Sequence, residues 1–87
     1  MEKKKFHSSL KDLDSKIREK QDSVDYDAEP LLEDINYILN NPGNASFRHH
    51  VQLMGKLKEA ASTFEAEHPH VTSMIHNTIN ILNNIGI

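Results

Sequence analysis

The sequence predicts an all-α fold: a small four-helix domain with a long antiparallel hairpin formed by the third and fourth helices. Three observations predict it. Apolar residues recur at three- and four-residue spacing in four stretches, and no run alternates as a strand would. Pro30, Pro42 and Pro69 fall between those stretches or in their first turns, where helices tolerate proline. The 87 residues, 37% of them hydrophobic, suffice for one domain over 1–87 and no second. A chain of this mass buries roughly 60% of its unfolded surface, so the core is small.

The first stretch runs from Phe6 to Gln21. Phe6, Leu10, Leu13 and Ile17 are spaced four, three and four residues apart. At about 100° per residue they fall within roughly 60° of one another. Charged residues from Lys11 to Lys20 fill the remainder. A stripe this narrow suits one neighbouring helix, as in a coiled-coil seam. Residues 1–5, with the run Lys3-Lys4-Lys5, read as a flexible, solubilising basic tail.

Ser23, Asp25 and Asp27 are helix-start residues, and Pro30 decides among them. A start at Asp27 keeps Pro30 in the first turn, where its missing N–H has no intrahelical partner to lose. The second helix then extends to Asn40. Leu31, Leu32, Ile35, Ile38 and Leu39 cover roughly 120° of it, and Tyr37 points away from them. Asn41-Pro42-Gly43-Asn44 is a loop, with Asn44 or Ser46 available to cap the third helix.

The third helix spans Ala45 to Glu67. Phe47, Val51, Leu53, Met54, Leu57, Ala60, Ala61 and Phe64 mark its apolar half, and Phe47, Met54 and Ala61 stand seven apart. Gly55 lies off the centre of that face. It costs about 1 kcal/mol against alanine and signals either close packing or a weak point. His68-Pro69 ends this helix and opens the fourth, which runs to Asn84. There Val71, Met74, Ile75, Thr78, Ile79, Ile81, Leu82 and Ile85 occupy roughly 160°. Thr72, Ser73, His76, Asn77, Asn80, Asn83 and Asn84 occupy the rest. A face that wide needs two neighbours, which makes this helix the centre of the domain. Gly86 suits the left-handed position after the helix, with Ile87 folding back.

The segment Phe64-Glu65-Ala66-Glu67-His68-Pro69, followed by the ending Ile85-Gly86-Ile87, resembles a family of short bacterial proteins, domain of unknown function 4404. That family carries a Phe-Glu-x-x-His-Pro junction and a Leu-Gly-Ile type ending. Ser23-Val24-Asp25, with Leu31-Leu32 after it, is similar to the family's first half. Family members usually place proline directly after that aspartate, where this chain has Tyr26. The resemblance implies a small helical protein and supplies no catalytic residue.

Composition bounds the function. A formal net charge of −3 gives no general attraction to nucleic acid. No apolar run reaches the length of a membrane span, and the polar face of the last helix lacks the Lys and Arg of a membrane-surface helix. No signal peptide is visible, so a cytoplasmic location is expected. The chain has no cysteine. It also has no Gly-x-Ser-x-Gly elbow and no glycine-rich phosphate loop, so no enzyme activity and no cofactor are expected.

Six histidines are the remaining reactive groups. Glu65-x-x-His68 has the spacing of one half of a di-iron bundle site, but a second copy is missing. His68 and His70 with Glu65 or Glu67 are the candidate ligands for a single zinc ion. The plainer reading is that His68 caps the helix junction. His50 lies on the apolar side of the third helix, between Phe47 and Met54, where burial would disfavour its charged form.

The function expected from the sequence is a non-enzymatic helical interaction or regulatory protein, acting on an unidentified protein partner. Alternatives are a metal- or small-ligand-binding bundle and a self-associating structural subunit. A homodimer is expected, with the stripe Phe6, Leu10, Leu13 and Ile17 as its interaction surface.

Overall fold

The computed structural model describes residues 2–41 and 47–85, with side chains from Lys4 onward. Helix α1 spans Glu2–Lys20, α2 Glu29–Asn40, α3 Phe47–Phe64 and α4 Pro69–Ile85. A short 3-10 turn, Gln21–Ser23, follows α1. Helices α3 and α4 share the most extensive packing, as the predicted hairpin requires. Helix α4 also packs along α1, and α2 closes the ring against α3 and α1. Phe6 meets His50 at one end of the bundle, and Ser23 meets His68 at the other. The four helices thus run up and down in order, in a body of 34 × 20 × 19 Å.

The core lies along the axis where the four apolar faces meet. Leu10, Leu13, Ile17, Leu31, Ile35, Leu53, Leu57, Phe64, Ile75 and Leu82 are fully buried there. Thr78, also fully buried, donates to the Met74 carbonyl at 3.0 Å. Its single proton is thereby used, so Ser9 on α1 must be the donor in the 2.5 Å contact between the two hydroxyls. This bond ties the centre of α4 to α1. Thr72 lies opposite the expected polar side: it is buried against α3, its hydroxyl donating to the His68 carbonyl at 3.3 Å and close to the Ala61 carbonyl at 3.5 Å.

Two expectations about α1 are corrected. Phe6, Leu10, Leu13 and Ile17 are not an interaction surface; at 0–2% exposure they fill the groove beside α4 within this chain. The wide apolar arc of α4 needs two neighbours, and α1 is the second. Nor do residues 2–5 form a tail: α1 begins at Glu2, and Lys3-Lys4-Lys5 lie in its first turn. Lysine is a good helix former, and the buried Phe6 ring anchors that turn.

Helix ends differ by a few residues from the expected ones. Helix α2 starts at Glu29, with Ala28 as its cap residue and Pro30 second rather than third. Asp27 accepts from the Glu29 amide at 3.1 Å, so it still serves the helix start from one residue further out. Ala28 is buried, which draws this turn inward. Helix α3 stops at Phe64, before Glu67. The expected loop at Pro42-Gly43-Asn44, the caps Asn44 and Ser46, and the turn at Gly86-Ile87 lie outside the described residues.

Candidate functional site

Two regions gather the polar and aromatic residues singled out by the sequence. The first is the end of the bundle where the α1–α2 and α3–α4 connections meet. The proline at 69 drives His68 toward extended backbone, so α3 cannot continue through it. Residues 65–67 form a turn, and the His68 amide donates to the Phe64 carbonyl at 2.8 Å. His68 then projects toward the other connection. Its Nε2 lies 2.6 Å from the Ser23 hydroxyl oxygen. The Ser23 hydroxyl donates to the Lys20 carbonyl at 2.8 Å. A serine has one proton to give, so His68 Nε2 is the donor to Ser23. The rings of Tyr26 and His68 each lie 6.0 Å from that of Phe64, Tyr26 edge-on to it. Burial, with the nearby Glu59 and Asp27 carboxylates, pushes the Tyr26 phenol pKa up.

This arrangement is a clasp between two turns. It is not an activated nucleophile: that chemistry needs the serine proton aimed at the imidazole, whereas here it is committed to a backbone carbonyl. Nor does it gather the expected metal ligands. Glu65 sits exposed in the turn. His70 lines a groove with Asp12, Lys16, Glu19 and Met74 on the α1 side of α4. Glu65, His68 and His70 are not brought together, and among the described residues no three His, Asp or Glu groups stand where they could share a metal ion. The Glu-x-x-His spacing aligns two side chains only on a continuous helix, and α3 ends at Phe64, before either residue.

The second region is the start of α3. The Tyr37 ring of α2 stacks on His49 at 4.3 Å with 21° between the planes. His50 meets Phe6 edge-on at 5.9 Å. Burial, and secondarily the neighbouring His49, push the His50 pKa below its usual value. Lys56 and Asp34, 2.7 Å apart, tie α3 to α2. Phe47 and Val51 do not join the core as expected. They are 64% and 44% exposed and, with Tyr37, are the exposed large hydrophobics among the described residues. They lie at the edge of α3's apolar arc. One turn further, Gly55 is exposed, and a β-carbon placed there meets nothing within 4 Å. Close packing inside this chain is therefore not the reason for the glycine.

The clasp had a signal in the sequence, since Ser23 and His68 both belong to the segments that carry the family resemblance. The Phe47–Val51–Gly55 face had none that periodicity could separate from core. A family model described as Domain of unknown function (DUF4404) matches residues 4–87, and the chain belongs to that family. No curated protein and no solved structure matches it.

Proposed function

We propose that this chain is a non-enzymatic helical interaction protein that binds another protein through the outer face of α3. One observation carries this reading. The bundle satisfies its own apolar faces within a single chain, yet Phe47 and Val51 stand exposed one turn apart on the same side. Scattered exposed apolar residues are ordinary, but aromatic residues are enriched at protein interfaces, and Phe47 has a second exposed apolar residue one turn along the helix. The histidine at 68 is occupied in holding two turns together, which favours a structural over a catalytic role for the motif segments.

Phe47→Asp tests the reading by affinity capture from extract of the source cells. Wild-type protein should retain a partner, another copy of this chain included, that Phe47→Asp loses while its melting temperature stays within about 2 °C. Equal capture by the two proteins would contradict this face.

A further inference from the structure

We infer that one end of the bundle docks end-on against an anionic lipid bilayer, with Lys4, Lys5 and Arg48 on the headgroups and Phe47 as the apolar contact. The inference goes beyond the protein-binding reading: Phe47 belongs to both, the lysines to this one alone.

Charge is sorted along the long axis of the molecule. The up-and-down order gathers the start of α1, the end of α2, the start of α3 and the end of α4, and Phe6 meets His50 there. Lys4, Lys5 and Arg48 are exposed at this end and form no ion pair among the described residues. The other ionisable side chains described there are His7, His49 and His50, none of which can carry a negative charge. Glu2 is the single acidic residue of the first turn of α1, against Lys3, Lys4 and Lys5. The next carboxylate on α1 is Asp12, two turns in, where it lines the α1–α4 groove with Lys5. On α2 the nearest are Glu33 and Asp34, about two turns before its end, and Lys56 holds Asp34 at 2.7 Å. Helix α4 has no Asp, Glu, Lys or Arg.

The opposite end is acidic. Asp22, Asp25, Asp27, Glu29, Glu65 and Glu67 are exposed there, against Lys20 and Lys58. The molecule is 34 Å long, and physiological salt screens charge over about 8 Å. A surface touching the basic end does not feel the acidic one, so the net charge of −3 does not describe what this end attracts.

The extent of the basic cluster selects the partner. It covers one end, 20 × 19 Å in section, and stops there. Further along α1, Arg18 pairs with Asp14 at 3.0 Å and Lys16 with Glu19 at 3.6 Å. A nucleic acid needs a basic track along its backbone, and these pairs interrupt one. A bilayer offers a plane, and takes a few lysines and arginines with an apolar side chain among them. Phe47, 64% exposed and next to Arg48 in the first turn of α3, supplies that side chain. The contact is peripheral, since no described helix is long and apolar enough to cross a membrane.

Vesicle sedimentation of the full chain tests this. Each basic residue at an anionic surface is worth about fivefold in partitioning. The protein should therefore bind mixed phosphatidylglycerol and phosphatidylcholine vesicles about a hundredfold better than phosphatidylcholine alone, and lose most of that preference at about 0.5 M salt. Lys4→Glu with Lys5→Glu should cut binding at least about twentyfold. Acidic residues suit the first turn of a helix, so the melting temperature of this variant should not fall. Lys20→Glu with Lys58→Glu changes the net charge equally at the opposite end and should cut binding less than about threefold. Phe47→Ser should weaken it about fivefold. Equal binding to the two kinds of vesicle overturns the inference, as do equal losses from the two double variants. Binding to duplex DNA without binding to vesicles overturns the lipid assignment, and unchanged vesicle binding by Phe47→Ser overturns the apolar contact.

Discussion

Breaking the contact between Ser23 and His68 should reveal how far the two turns at one end of the bundle depend on each other. Ser23→Ala removes two hydrogen bonds, of 2.8 Å to the Lys20 carbonyl and 2.6 Å to His68 Nε2. A net contribution of about 0.5–1.5 kcal/mol per bond, at the low end for exposed groups, gives a loss of about 1 kcal/mol. His68→Ala removes one of those bonds and the ring contact with Phe64, for a loss of about 1–2 kcal/mol. The shared bond makes the two losses non-additive: the double variant should be more stable than their sum implies, by about 0.5–1 kcal/mol. Urea unfolding of the four proteins measures this. Each kilocalorie corresponds to about 4–8 °C of melting temperature in a domain of this size. Additivity within about 0.3 kcal/mol would refute the clasp and leave two independent turns.

Other substitutions probe the faces of α4 and the titration of α3. Ile75→Ala or Leu82→Ala, at fully buried positions, should cost about 2–5 kcal/mol in urea unfolding, while Asn80→Ala on the exposed side should cost under about 0.5. Equal losses at Ile75 and Asn80 would mean the helix face is misplaced. His50 binds its proton less readily folded than unfolded, so its contribution to stability is intact above the unfolded pKa near 6.5 and declines as pH falls through the lower folded value. Thermal melts between pH 7.5 and 5 should therefore fall more steeply for wild type than for His50→Gln; parallel curves would contradict that.

The sequence revealed the elements of the fold better than it revealed what covers them. Helix α4 was legible almost to the residue, because its apolar arc is wide and its other side is uncharged and polar. Thr72 is the exception: a hydroxyl that finds backbone carbonyls can be buried, and periodicity reads it as polar. The stripe on α1 was legible as a face but not as an intramolecular one. Four apolar residues in a line state that something packs on them, and only the topology states that it is α4. The same gap hid the exposure of Phe47 and Val51. Their spacing fits the core of α3, but core membership depends on where α4 and α2 lie around it, and both residues stand exposed. Glu65-x-x-His68 failed as a metal motif for a local reason: spacing along a helix has meaning only while the helix continues, and His68-Pro69 had already ended it.

A single chain closes its own core while α3 presents its outer face. Urea unfolding of Leu13→Ala, set beside Val51→Ala at low-micromolar concentration, tests this most directly. Leu13 is fully buried in this chain and Val51 is 44% exposed. Leu13→Ala should lose about 2–5 kcal/mol, Val51→Ala under about 1 kcal/mol, and wild-type stability should not change over a tenfold dilution. A stable, folded Leu13→Ala monomer, with wild-type stability that falls on dilution, would place the α1 stripe between chains and contradict a core closed by one chain.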